Sequence, residues 1–502
     1  MPAPALKYQV TDSKPAEFRD FSRGRITKYS ANNKLAPVNS VSQCQNVNFD
    51  TIIGSGVVRP GTTKLGDTVA SGKTPLGLYN FVSPGGALNL GIAAFSGAST
   101  ATISYYDTSW HASGLTGLNN SATVNFATLG GQVFMANGVD VMKSSADGNT
   151  WGTTNSTFTG ESVIPSLVYR AKGRMLCSGW STRRDRVYFS SIIDPTSSPF
   201  ITWNSNATTG DWIDINPDDG SNVTAFAETS NTVLVFKSQG MYRLDVVAKN
   251  VDTQNIFNIG AVSQKAVTTV QGIVYFFSGI DIRRTDGTYP EQISRLGVQD
   301  FIDAIPQANW ANVCAGNDGF NAYFSIGDVT LNTGRDGQKT YSSVVLKYST
   351  RDEAWSVHSY AQTFRFFTQM TTSVDGRKMI GADTLGNVQT INKGTTDNGT
   401  EIFYDLETQE LEFGNRAHTN TISDLISIFC KNGAGSSMQV KATDKDYRDI
   451  QKSLPKRVNV VDNFSVEGEY FTFRWFGSTS LESPVFEGFY IERIKDEGMV
   501  NS

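Results

Sequence analysis

The sequence predicts an all-β protein: an irregular β-propeller of about six or seven blades, followed by a sandwich-like C-terminal region. Three observations lead there. The first is composition. Among 502 residues there are 46 Gly, 30 Phe and 18 Tyr, and only 18% are charged. Helical proteins draw on Ala, Leu, Glu and Lys, whereas turn-rich β proteins are built from residues like these. The second is a strand–turn–strand theme that recurs through the middle of the chain at intervals of roughly 45 to 60 residues, the range of propeller blades with variable loops. The third is a segment shaped like the Asp box of propeller proteins, Ser145-Ala146-Asp147-Gly148-Asn149-Thr150-Trp151.

Three regions differ in texture. Residues 1–65 are irregular and read as an N-terminal arm carrying Phe18, Phe21, Phe49 and the turn Arg59-Pro60-Gly61. Residues 66–400 carry the repeats. One copy runs Val124–Leu129, Gly130-Gly131, Gln132–Ala136, Asn137-Gly138, Val139–Met142; both Gly-containing pairs read as two-residue hairpin turns, which need positive φ. Others run from Val223 to Leu244 and from Ala266 to Ile282, with further copies near 166–189, 313–347 and 366–391. A stack of β-sandwiches is the alternative; successive meanders without long Greek-key crossovers favour the propeller. Ile293, Leu296, Phe301, Ile302 and Ile305 fall near helical spacing ahead of Pro306, which predicts a short helix between blades. Polar residues 392–399 mark a boundary, and residues 401–502 hold longer strands. Among these, Tyr470–Phe476 and Phe489–Ile494 carry aromatics on both faces, which suits burial on two sides, in a sandwich or at an assembly interface.

Charge and chemistry exclude several classes. Forty-three Lys and Arg against 48 Asp and Glu leave a net charge of -5. That balance does not suit wrapping nucleic acid over the whole surface, though it tolerates lining a path that nucleic acid slides through. Met1 to Asp12 has no basic stretch ahead of an apolar run, and no run of about 18 apolar residues occurs, so neither a secretory leader nor a membrane-spanning helix is expected. Cys44, Cys177, Cys314 and Cys430 are scattered and are read as reduced thiols that bind no metal.

The local motifs favour structure over catalysis. In an Asp box the Ser and Asp lock a hairpin and the Trp packs between blades, away from any reacting centre; Tyr348–Trp355 looks like a looser form. Gly66–Thr74 imitates a phosphate-binding loop, but its spacing is off by one and Pro75 opens a strand-like run. Asp214–Gly220 has the flavour of a calcium loop, yet its Gly is late and position twelve is Ala225, so a carboxylate-rich turn is the better reading. Arg170, Lys172, Arg174, Arg183, Arg184 and Arg186, with Tyr169, Trp180 and Tyr188 between them, could touch nucleic acid but read as solvated strand faces. The three His (His111, His358, His418) occupy no metal-ligand spacing and read as surface or packing residues. No cofactor and no catalytic residue is assigned.

Asp20-Phe21-Ser22-Arg23-Gly24, then Asn46-Val47-Asn48-Phe49-Asp50, Gly54 and Val57-Val58-Arg59-Pro60-Gly61, resemble the opening of bacteriophage tail nozzle proteins (tail tubular protein B) and of the packaged-DNA stabilisation proteins of short-tailed phages. Asp211–Leu244 and the ending Gly468–Arg474, Pro484–Phe489 are similar to the same proteins. The resemblance implies a virion component of the tail, assembled in the host cytoplasm. It implies a ring, commonly of six copies, below the portal and a tail adaptor. Such a ring extends the DNA channel, helps to retain and eject the genome, and has tail fibres as a further candidate partner. The arm and the C-terminal sandwich would together form a platform facing the adaptor. The candidate assembly interface is Phe21, Phe49, Arg59, Phe473 and Tyr490, and the propeller is expected to fold without the two ends. The alternative is a sialidase-like propeller glycosidase or a carbohydrate-binding protein, motivated by the Asp box; it would need an arginine triad, a Tyr-Glu nucleophile and an acid.

Overall fold

Alternating and turn-punctuated segments can bury their apolar side chains only by pairing, and in this computed structural model they pair into small antiparallel sheets. The structure describes residues 14–27, 37, 39–86, 88–251, 258–332, 337–372, 376–413, 418–442 and 445–499. Among them, seven sheets form the blades of a propeller, and the fold expectation holds.

Each blade begins with its innermost strand. These strands are Pro75–Val82, Asn125–Leu129, Leu167–Ala171, Val223–Glu228, Val267–Val270, Cys314–Asn317 and Phe364–Thr372 in blades 1 to 7. Each lies against the next around the axis, and the last touches the first, which closes the circle. The outermost strand of blade 7 comes from the other end of the sequence: Thr62–Lys64 pairs with Val388–Ile391. A propeller leaves only short, protected sheet edges, and this borrowed outer strand ties the start of the chain to its last blade.

The two turns expected in the second blade have different outcomes. Gly130 and Gly131 take φ of 61° and 76° and join Asn125–Leu129 to Gln132–Ala136 in a two-residue turn, as expected. Asn137-Gly138 does not close a second one. The Asn137 side chain accepts the amides of Val139 and Asp140, the loop widens, and the third strand starts at Lys143, leaving Val139 and Val141 exposed. The helix between blades is shorter than its spacing suggested. Only Gln299–Asp303 is α-helical, a 3-10 turn follows over Gln307–Asn312, and Phe301, Ile302 and Ile305 point into the core while Leu296 stays outside.

Two further sheets form a sandwich. One runs in the order Val47–Asn48, Gly56–Val58, Val485–Met499, His418–Lys431, Val458–Gly468, with Lys14–Phe18 also on Val485–Met499. The other runs Val41–Gln45, Ile402–Thr408, Tyr470–Thr479, Ser436–Ala442, Arg448–Gln451, with Leu411–Glu412 on Tyr470–Thr479. Four arm strands are therefore built into the sandwich. Phe471, Phe473 and Trp475 alternate inward along the central strand of the second sheet. One apolar core runs without a break from Phe18, Phe21 and Phe49 through Phe473 and Phe489 to Tyr275, Phe301, Leu346 and Trp355 of blades 5 and 6. Part of the propeller core is therefore shared with the two ends, which bears against a propeller that folds without them.

Candidate assembly platform and its junction with the propeller

Between Val41 and Gly61 the chain turns repeatedly, and each turn uses a residue suited to it. Val41–Gln45 pairs with Ile402–Thr408 in one sheet, and Val47–Asn48 pairs with Gly56–Val58 in the other. The corner between them is Asn46, at φ 60°, a left-handed conformation that Asn tolerates better than most residues. Its side chain then works on three segments. Oδ1 accepts from Arg59 Nε and from the Ser359 amide, both at 2.7 Å, and Nδ2 donates to the Phe403 carbonyl at 2.7 Å.

Arg59 is fully buried, which is costly for a guanidinium unless every donor is met. Nη1 and Nη2 fork onto the Asp397 carboxylate at 2.8 and 2.6 Å. Nη2 also donates to the Ser359 carbonyl at 2.6 Å and Nη1 to that of Pro60 at 3.0 Å. With Nε on Asn46, all five N–H groups have an acceptor. The guanidinium carbon lies 3.8 Å from the centre of the Tyr360 ring. Gly61 follows because nothing larger fits: a Cβ there would stand 1.9 Å from the Thr396 carbonyl oxygen.

A second buried cation sits beside the first. Lys347, on the third strand of blade 6, donates to both Asp50 carboxylate oxygens at 2.7 and 2.8 Å and to Asn48 Oδ1 at 3.1 Å. The same Oδ1 lies 2.9 Å from His358 Nε2. An amide oxygen can only accept, so Nε2 carries the proton and Nδ1 is left to accept from the Tyr360 hydroxyl at 3.4 Å. His358 is completely buried, and burial first, then the charges of Arg59 and Lys347, push its pKa well below the ordinary histidine value. It is thus a neutral packing residue. Burial also lifts the Tyr360 phenol to about 12 and the Cys44 thiol to about 11.

Arg25 makes a further clamp from arm to propeller, forking onto Asp300 at 2.8 and 2.6 Å. The aromatic side of the junction is equally continuous. Phe18 stacks on Phe489 with centroids 5.6 Å apart, Phe21 meets Phe18 edge-on at 5.0 Å, and Phe473 lies 4.1 Å from Phe489.

Of the residues marked as a candidate assembly interface, Phe21, Phe49, Arg59 and Phe473 are buried within the protomer, and Tyr490 is half-buried, paired in register with Glu17 and Ser427. The structure brings Phe21, Phe473 and Tyr490 to the sandwich, and Arg59 and Phe49 to its seam with blades 6 and 7. Phe21, Phe49 and Arg59 lie on the arm, and Phe473 and Tyr490 on the sandwich strands that it joins. Sequence reasoning missed Lys347, His358, Tyr360 and Asp397 as partners of the arm, because about 300 residues separate them from it. The one signal was the polar stretch 392–399, which contains Asp397.

The remaining motifs resolve into structure. In the Asp box, Ser145 Oγ accepts the Gly148 amide at 2.9 Å and Asp147 Oδ1 the Asn149 and Thr150 amides at 2.9 and 2.7 Å, while Trp151 packs on the core between blades 1 and 2. In Tyr348–Trp355, Ser349 and Asp352 bond each other in the same way. The calcium-like loop is filled by the fully buried Lys237, whose ammonium donates to the carbonyls of Ile215 and Asn216 at 2.8 and 3.0 Å and to Asp219 at 2.5 Å. Pro75 opens the inner strand of blade 1, where a phosphate-binding loop needs a helix. In the basic stretch, Arg186 is buried over Trp212 at 3.4 Å and paired with Asp214, and Lys172 and Arg183 face Glu228 and Glu161. Cys44, Cys177, Cys314 and Cys430 are buried and unpaired. Among the described residues no helix is long and apolar enough to cross a membrane.

The fold and the junction define a class: a seven-bladed propeller joined to a two-sheet sandwich by buried ion pairs. No protein-family model matches the chain, and no curated protein does. Among solved structures, the chain is similar to BBS1N in complex with ARL6DN (11% identity, TM-score 0.42, covering 68% of this chain and 100% of that one). It is also similar to virginiamycin B lyase from Staphylococcus aureus (13%, 0.38, 66% and 97%) and to YCF48 bound to D1 peptide (10%, 0.39, 66% and 97%). Identities of this size speak to fold alone, and the blade count rests on the chain's own sheets.

Proposed function

We propose that the protein is a structural subunit of a short bacteriophage tail, a non-catalytic ring component that extends the DNA channel below the portal and adaptor. One observation carries this reading. The residues through which the opening of the chain resembles tail nozzle proteins are the residues of the junction: Asn46, Asn48 and Asp50 meet Arg59, Lys347 and His358, and Gly61 fits against Thr396. A stretch whose Asn46, Asn48, Asp50 and Arg59 side chains are consumed in fixing two bodies together suits a part that must hold its shape under load in an assembly. The sandwich would serve as the platform toward the adaptor, with self-association into a ring, probed first as a hexamer. Native mass spectrometry of the purified protein, alone and with candidate tail adaptor and portal proteins, tests this. An oligomer near six times 54.7 kDa, alone or on the adaptor, is the expected result. A monomer under both conditions that turns over aryl glycosides, with the activity lost on changing one carboxylate, would replace this reading with the glycosidase.

A further inference from the structure

The inner strands of a propeller all run the same way along its axis, so the residues at their starts share one mouth of the central channel. At this mouth two cations stand without an acid. Lys265 lies in the 3-10 turn Gln264–Ala266 just before the inner strand of blade 5. Arg365 is the second residue of the inner strand of blade 7. Cys314, buried, opens the inner strand of blade 6 between them.

Both cations are held in place by the backbone. Gln264 clamps the turn onto blade 4, its Oε1 accepting the Phe226 amide at 2.8 Å and its Nε2 donating to the Phe226 carbonyl at 3.0 Å. Arg365 sits in a β-bulge: Phe364 pairs with Asp383 and Phe366 with Ala382, and Arg365 has no opposite number. Bulges at the rims of closed sheets re-aim a side chain. The Lys265 ammonium lies 5.0 Å from the centre of the Phe366 ring. Both side chains are half-buried. Among the described residues neither forms an ion pair, whereas the more deeply buried cations Arg25, Arg59, Arg186, Lys237 and Lys347 all do.

Two like charges, partly desolvated and close enough to repel, are an unfavourable arrangement for an empty site. An anion relieves it. An arginine fork beside a lysine point charge offers several donors to one oxyanion, and a phosphate has enough oxygens to engage both at once. We propose that Lys265 and Arg365 form an oxyanion site at this mouth, for a phosphate group that is either free or part of a nucleic-acid backbone. The depressed lysine pKa agrees: burial is its chief cause, Cys314 acts next and in the opposite direction, Arg365 then adds to the depression, and no carboxylate is among the causes.

The test uses the full chain, Lys265→Met and Arg365→Gln. Binding of inorganic phosphate and of a short oligothymidylate is measured by calorimetry, with ionic strength matched by chloride. Phosphate should bind the parent protein and bind each variant about tenfold or more weakly, as expected when a charge-assisted contact is lost. Neither substitution empties the core, and the two variants check each other if one fails to fold. Oligothymidylate that competes with phosphate and loses affinity in the same variants assigns the site to a nucleic-acid backbone; phosphate binding alone assigns it to a free oxyanion. No phosphate binding to the parent beyond that of chloride, or equal binding by parent and both variants, overturns the proposal.

Discussion

Arg59 shows how much one side chain can carry when it is desolvated. Its five donors are matched to four acceptor residues drawn from the arm, blade 6 and the boundary stretch. Arg59→Met keeps most of the volume but strands the Asp397 carboxylate, itself buried, without a cation. Breaking a buried pair in this way costs about 3–5 kcal/mol, and urea unfolding should show a loss of that size. Arg59→Lys should recover little, because one ammonium cannot reach all the acceptors. His358 makes the second prediction at this scale. In the fold it stays neutral, between Arg59 and Lys347, while in the unfolded chain it takes up a proton near 6.5. Below that pH the unfolded state binds the extra proton, so the stabilisation present above 6.5 is lost progressively as the pH falls further. His358→Gln, which can still donate to Asn48, should remove this part of the acid dependence. A parent and variant with identical stability profiles between neutral and mildly acidic pH would refute it.

At the scale of elements, the arm behaves as part of two bodies. Its strands Val41–Gln45, Val47–Asn48 and Gly56–Val58 occupy positions in both sandwich sheets, and Thr62–Lys64 closes blade 7. Read from the sequence alone, the arm looks removable, because it is short, irregular and followed by self-contained repeats. Its apolar residues enter the same core as blades 5 and 6. Deleting residues 1–60 therefore strips Phe21, Val41, Phe49 and Val58 from that core and leaves Lys347 without Asp50. Losing a buried Phe alone costs about 3–5 kcal/mol, so the truncated chain should be insoluble or unfold well below the full-length protein in a thermal scan. A soluble truncated chain with the parent's unfolding midpoint would show that the propeller stands alone. Local elements were legible where their chemistry is local. The double-glycine turn at Gly130-Gly131 and the Asp box depend on residues within a few positions of one another. The third strand of blade 2 was misplaced because Asn137 can serve a tight turn or a wider loop, and only its bonds to Val139 and Asp140 choose.

For the whole molecule, composition and periodicity determine class. A chain rich in Gly and aromatics and poor in charge, with recurring short strands, has few ways to bury its apolar faces other than stacked small sheets, and the propeller follows from that. The arm's residues need neighbours, Phe21 and Phe49 above all, because apolar rings left in water are costly. Which neighbour they find was decided only in three dimensions. Arg59 pairs with Asp397 and Asp50 with Lys347 across about 300 residues, and no local pattern encodes such a pairing. The same holds for the bulge that leaves Arg365 without a partner across the sheet and for the strand that Thr62–Lys64 lends to blade 7. Local propensity and turn chemistry act over a few residues and are written in the sequence; ring closure, shared cores and buried ion pairs depend on which distant segments meet, and that is a property of the packed chain alone.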